Sequence, residues 1–263
     1  MTFNYLKNYR TNIKSTNDFN SFNDSLTMVL DKGMPVSYTN NLMQIAGTYL
    51  DFLKFGWGTT IVLNEEIVTQ KLEICENFDI LGYCGGTLFE IAIIKNKVDE
   101  LFEDLNRLGF KAIEISDGSL DLNRDEKLEY ISLAKKKGFY VLSEVGKKDL
   151  QKDNAIDLDS RISFINEELN AGSQKVIIEA RESGKGIGIF DDGGNAKVND
   201  VNAISEAIDA NNIIWEAPNK NQQVFFVKQL GSNVNLGNIS PNDIISLETI
   251  RQGLRGDTID LLF

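Results

Sequence analysis

The chain has 263 residues, 27 Lys or Arg against 39 Asp or Glu, a formal net charge of −12 and no histidine. Without imidazole there is no Ser-His-Asp triad, no Cys-His dyad and no His-ligated metal, so any chemistry falls to carboxylates, lysine, arginine, hydroxyls, thiols or a bound ion. The acidity argues against nucleic acid, whose phosphates are met by basic surfaces, and with no bilayer-length apolar run or secretory signal the expectation is a soluble cytoplasmic protein without a membrane partner.

Residues 1–25 are polar and are expected to form an N-terminal extension, a cap or a contact in a homo-oligomer, ahead of one domain over 26–263. Eight short apolar runs follow, at 26–30, 49–55, 79–83, 111–115, 139–143, 175–179, 212–216 and 233–236. Their length and their Val, Ile, Leu, Tyr and Phe content suit parallel strands buried on both faces. Helical spacing of apolar residues predicts helices over 64–78, 97–108, 124–137, 157–170, 199–210, 222–229 and 243–251, several of them closed by a glycine such as Gly109, Gly138 or Gly231. Eight strand-helix units in about 250 residues match a single (β/α)8 TIM barrel better than a doubly wound sheet. The two cysteines, Cys75 and Cys84, lack metal-site spacing and are expected to be free thiols.

In a barrel the chemistry lies where the strands run out. Strand four ends in Glu114-Ile115-Ser116-Asp117-Gly118, strand five in Glu144-Val145-Gly146-Lys147-Lys148, and strand six in Glu179-Ala180-Arg181-Glu182-Ser183-Gly184-Lys185-Gly186. Strand seven ends in Glu216-Ala217-Pro218 and strand eight in Asn235-Leu236-Gly237-Asn238. Side chains alternate along a strand, so Glu114 shares a face with Ala112, Glu144 with Leu142, and Glu179 with Ile177. Three carboxylates converging in a low dielectric need a cation among them, either Mg²⁺ or the lysines and arginine nearby, Lys32, Lys54, Lys147 and Arg181. The glycine-rich ends, including Gly56, Gly85, Gly86 and Gly237, offer N–H donors to an anion, as does the Arg181 to Gly186 segment with Ser183 and Gly184. The strand-eight end and the later Arg251 to Asp257 stretch occupy the usual phosphate position of a barrel. A lysine at the strand-five end can act as an acid, its pKa lowered by burial and nearby positive charge.

The segments Leu26-Thr-Met-Val-Leu-Asp-Lys-Gly33, Asp51-Phe-Leu-Lys-Phe-Gly-Trp-Gly-Thr59, Gly85-Gly-Thr-Leu-Phe-Glu90, Ile113-Glu-Ile-Ser-Asp-Gly118, Glu144-Val-Gly-Lys-Lys148, Arg181-Glu-Ser-Gly-Lys-Gly186, Val234-Asn-Leu-Gly-Asn238 and Gly253-Leu-Arg-Gly-Asp-Thr258 follow in order along the chain. Together they resemble the phosphosulfolactate synthases. The resemblance implies a (β/α)8 barrel that adds sulfite to phosphoenolpyruvate with Mg²⁺ to make (2R)-3-phosphosulfolactate, the first step toward coenzyme M in methanogens. It implies Lys148 as the acid that protonates C2, with Lys147 second. Lys32, Lys54, Arg181, Ser183, Gly184, Asn235, Gly237 and Asn238 would hold the substrate anions, and Glu114, Glu144 and Glu179 the metal. Cys84, where the family pattern has proline, and Ala180, where it has glycine, depart from it. Two other readings stand beside this one: another enolate-forming barrel lyase acting on a phosphorylated substrate, and a non-catalytic, stress-associated relative.

Overall fold

The computed structural model describes residues 25–262; the expected extension therefore lies, but for Ser25, outside the described residues. Eight parallel strands close into a barrel in chain order. They are β1 (Thr27–Asp31), β2 (Phe52–Phe55), β3 (Leu81–Cys84), β4 (Ala112–Ile115), β5 (Tyr140–Val145), β6 (Lys175–Ile178), β7 (Ile213–Glu216) and β8 (Leu236–Ile239). The helices that follow are α1 (Val36–Ala46), α2 (Thr59–Val62), α3 (Glu65–Asn77), α4 (Gly86–Ile94), α5 (Val98–Leu108), α6 (Arg124–Lys136), α7 (Leu150–Asn154), α8 (Leu158–Ala171), α9 (Val198–Ala207), α10 (Lys220–Leu230) and α11 (Ile244–Arg251). The (β/α)8 barrel read from the sequence is the fold.

Every strand residue is buried, which is why the strands read as continuous apolar runs. Met28, Phe52, Tyr83, Ala112, Leu142, Ile177 and Ile214 point inward and fill the barrel. Val29, Leu53, Ile113, Val141, Val176 and Trp215 point outward into the layer shared with the helices. Local chemistry sets the helix ends. Asn123, Asp157 and Asp149 accept backbone N–H groups at the starts of α6, α8 and α7, and Asn219 with Gln222 forms a capping box on α10. Gly109 closes α5 at φ 96°, a conformation open to glycine without penalty.

The structure adds four helices that the sequence reading did not single out, α1, α2, α4 and α7, and it shifts the start of β8. α1 buries one face through Thr39, Met43 and Ala46, one of them polar, and α2 and α7 are only four and five residues long. α4 (Gly-Thr-Leu-Phe-Glu-Ile-Ala-Ile-Ile) is apolar nearly all round, because Leu88, Phe89, Glu90 and Ala92 are all buried. β8 begins at Leu236, where the apolar run read from the sequence ends. Asn235 precedes it and staples the floor of the barrel, at the end opposite the mouth. Its Oδ1 accepts from the Leu26 N–H at 2.9 Å, and its Nδ2 donates to the carbonyls of Ala210 at 3.2 Å and Ile213 at 3.0 Å. Gly237 lies in the barrel interior, where a methyl group would stand 2.5 Å from Met28 Cε. The Arg251 guanidinium is also at the floor, donating to the carbonyls of Ser232, Val234 and Leu26. Among the described residues no helix is long and apolar enough to cross a membrane, and both cysteines are buried free thiols.

Candidate active site

The inward register that packs the barrel also builds the site. Lys54, Glu114, Glu144, Glu179 and Glu216 each stand two residues beyond an inward-packed neighbour, namely Phe52, Ala112, Leu142, Ile177 and Ile214. They therefore form the next layer toward the mouth, and all five are buried. Lys54 Nζ lies among the carboxylates, 2.9 Å from Glu114 Oε2, 3.5 Å from Glu216 Oε1 and 3.9 Å from Glu144 Oε2. Glu114 Oε1 also accepts from the Gly86 N–H at 2.8 Å and the Ser116 hydroxyl at 3.0 Å, tying the start of α4 to β4. No side chain fits at Gly86, where a Cβ would come 2.2 Å from Ser116 Oγ.

Above this layer opens a cavity of about 240 Å³. Gly85, Gly86 and Thr87 at the N-terminus of α4 line it together with Lys148, Arg181, Trp57 and Asn238. The N-terminal end of a helix favours an anion. The Arg181 guanidinium is exposed beside the cavity and has no hydrogen-bond or ion-pair partner among the described residues. Trp57, Arg181 and Asn238 all have positive φ, of 53°, 57° and 53°. Backbone strain of this kind clusters where a loop is held for function.

The other residues singled out from the sequence lie farther out. Lys32 is at the rim, paired with Glu182 and stacked 4.6 Å over the Trp57 ring. Lys147 turns away from the cavity, its ammonium bound by the Asp117 carboxylate and the carbonyls of Asp117 and Leu120. Ser183 and Gly184 do not line the cavity; their carbonyls accept from Asn219 and Gln222 of the α10 capping box. Lys54, read as a substrate-anion ligand, is committed to the carboxylate layer instead.

The electrostatics follow from burial. Burial, reinforced by Glu179 and Glu114, raises Glu144 well above the usual carboxylate range. Burial raises Glu179 to about 7 with help from the Glu216 charge, and it raises Glu216 to about 7 against the pull of Lys54. Glu114 goes the other way: burial opposes its ionisation, but Lys54 and the Gly86 N–H outweigh burial and lower its pKa. Burial would lower Lys148, yet Glu144, Glu90, Glu179 and Glu114 overcome it and raise the pKa. The sequence reading expected the reverse, a pKa lowered by burial and nearby positive charge; the carboxylates around the ammonium outweigh both.

A sign follows for the metal-free protein. Glu179 and Glu216 bind protons more tightly folded than unfolded, so their contribution to stability is complete below about 4.5 and is lost as pH rises through about 7. Thermal melts without divalent ions should therefore show a higher Tm at pH 5.5 than at pH 8, by about 5 °C or more. An equal or lower Tm at pH 5.5 would contradict this electrostatic picture.

The donor set suits a hard divalent cation. One oxygen from each of Glu144, Glu179 and Glu216 lies within 4.8 Å of the others. Glu144 Oε1 and Glu179 Oε2 are buried with no hydrogen-bond partner. The charged residues lining the cavity are Lys54, Lys148 and Arg181 against Glu114, Glu144, Glu179, Glu182 and Glu216, a deficit of two charges. Oxygen ligands and a doubly charged deficit fit Mg²⁺. Glu216 was not among the ligands read from the sequence, although it ends the seventh apolar run by the same alternation that singled out the other three. Its place beside Glu144 and Glu179, with Glu114 drawn toward Lys54, depends on how neighbouring strands are staggered. Glu90 was also missed, since it sits inside an apolar helix.

A barrel whose mouth gathers buried carboxylates, a protonated lysine, an arginine whose side chain has no partner among the described residues and a helix N-terminus has the form of a (β/α)8 enzyme site for small molecules. The family described as (2R)-phospho-3-sulfolactate synthase (ComA) matches residues 21–257. A phosphosulfolactate synthase of Methanocaldococcus jannaschii is 48% identical over 240 residues, 91% of this chain and 96% of the relative. One of Bacillus subtilis is 40% identical over 238 residues, 89% of this chain and 92% of that one. The chain belongs to the phosphosulfolactate synthase family and is an enzyme of the lyase type. Among solved structures, 3-hexulose-6-phosphate synthase from Salmonella typhimurium aligns with TM-score 0.55 at 13% identity, covering 86% of this chain and 97% of that one. Phosphonopyruvate hydrolase, solved with oxalate and Mg²⁺, aligns with TM-score 0.54 at 12% identity over 87% and 80%. These two likenesses are of fold alone.

Proposed function

We propose that the protein joins sulfite to phosphoenolpyruvate to form (2R)-3-phosphosulfolactate, with Mg²⁺ held by Glu144, Glu179 and Glu216. The observation that carries this reading is the cavity at the mouth, where the carboxylate trio with its two partnerless oxygens faces Lys148 and Arg181, in a chain nearly half identical to named synthases. When bound, the metal supplies electrostatic stabilisation of the charge that builds on the substrate carboxylate.

The residues of the chain do the rest. Arg181 and the positive end of α4 at Thr87 hold anionic groups of the substrates, and Lys32 at the rim adds positive charge at the entrance. The sulfite lone pair forms a C–S bond at C3, the C2–C3 π pair moves toward the carboxylate, and Lys148 donates a proton to C2. Lys148 then regains a proton from water. A lysine whose pKa is raised carries its proton at neutral pH, as a donor must. Glu114 keeps Lys54 fixed beneath the substrates, so that the layer carrying the metal ligands does not move.

The test is incubation of the purified protein with sulfite, phosphoenolpyruvate and Mg²⁺, with mass detection of phosphosulfolactate. Product is expected only when all three are present, and turnover of phosphoenolpyruvate without sulfite would favour a different enolate chemistry. Mg²⁺ should also raise the Tm at pH 8, where the carboxylates are ionised, more than at pH 5.5.

A further inference from the structure

One buried carboxylate near the cavity has no part in the chemistry above. Glu90 lies on α4, one turn beyond Thr87, with its side chain only 3% exposed. Its Oε1 accepts the Ser119 N–H at 2.6 Å. Its Oε2 is buried, has no hydrogen-bond partner, and lies 3.5 Å from Lys148 Nζ. A carboxylate oxygen buried without a donor is costly unless a charge faces it.

The lysine is guided to that oxygen from the other side. Lys148 N–H donates to the Gly118 carbonyl at 2.9 Å. A Cβ at Gly118 would lie 3.3 Å from Lys148 Cγ and Cε, and 3.3 Å from Glu144 Oε1. The lysine stem therefore runs in close contact with bare backbone at Gly118. Ser119, the next residue, fixes Glu90 and also lines the cavity. The charges that act on the ammonium come from four elements: Glu90 on α4, Glu114 on β4, Glu144 on β5 and Glu179 just past β6. If Glu144 and Glu179 are taken up by a metal, and with Glu114 paired to Lys54 at 2.9 Å, Glu90 is the acidic group left to fix where the ammonium stands.

We infer that Glu90 is a positioning residue for Lys148: anchored by the Ser119 N–H, its carboxylate holds the lysine ammonium against Gly118 at the cavity wall, in place to donate a proton. This rests on the role given to Lys148 under the proposed function. Glu90 touches no reacting atom in this account and acts only through the lysine.

Glu90→Gln separates positioning from simple loop anchoring, because the amide oxygen still accepts from Ser119 while the charge facing Lys148 is lost. The expected result is a kcat at least about tenfold lower, with KM for both substrates within about threefold of wild type. Unchanged kcat, or a rise in KM alone, would overturn the inference. A second readout needs no turnover. Lysine acetylation by a limiting reagent, followed by mass spectrometry with exposed Lys152 as reference, should report Lys148 at least about threefold more reactive in Glu90→Gln than in wild type. An unaltered Lys148 rate would overturn the tether. If wild type forms no phosphosulfolactate while the labelling contrast holds, the functional reading fails and the tether stands.

Discussion

Lys54→Met is expected to destabilise the protein by about 3–5 kcal/mol at pH 8 without divalent ions, the usual consequence of removing one partner from a buried ion cluster. At about 2–4 °C per kcal/mol for a chain of this size, the Tm should fall by about 6–20 °C. Methionine matches the stem of lysine in length and volume, so the loss is one of charge. Lys54 is the ammonium within 4 Å of Glu114, Glu144 and Glu216. Burial would lower its pKa, but these carboxylates hold it well above the lysine range, and removing it leaves Glu114 buried and ionised without a counter-charge. The deficit should shrink at pH 5.5, as Glu179 and Glu216 take up protons below about 7, and it should shrink on adding Mg²⁺. Thermal melts of wild type and variant at the two pH values check this. Equal Tm at pH 8 would show that Lys54 does not neutralise the layer.

Lys148→Met should lower turnover by about 10³-fold or more while the Tm changes by only a few degrees, since a positioned proton donor contributes about 10²–10⁴-fold. The side chain is 31% exposed and its one close ion pair is with Glu90 at 3.5 Å, so little of the fold depends on it. Lys148→Arg keeps the positive charge near Glu90 but is a far poorer acid, and it should be nearly as inactive. Phosphosulfolactate formation by single-turnover mass detection is the measurement, and substantial activity in either variant would remove Lys148 from the chemistry. Lys147→Met gives the contrast. Lys147 binds Asp117, whose pKa is lowered by Lys127 and Lys147 despite burial, so its loss should appear in stability more than in turnover.

The two adjacent lysines show how far sequence reading reaches. That a lysine stands just past β5 was legible, because strand five announces itself as an apolar run. Which of Lys147 and Lys148 turns into the mouth was not, since the answer lies in Asp117, Leu120 and Gly118 of the loop after β4. The acid was likewise given the wrong direction of pKa shift, because four carboxylates from four elements surround it only once the barrel closes.

The sequence by itself determined the barrel and the identity of its mouth. Strands buried on both faces must be apolar throughout, so eight of them are visible in order, and strict alternation placed Glu114, Glu144 and Glu179 on the faces of Ala112, Leu142 and Ile177. The tertiary structure decided the rest. The stagger between neighbouring strands brings Glu216 to Glu144 and Glu179 and leaves Glu114 to Lys54. The start of β8 at Leu236 sends Asn235 to the floor and Gly237 into the packed interior. Alternation along one strand fixes which residues share a face, but the relative height of residues on different strands is set only when the hydrogen-bonded ring closes and its core is packed.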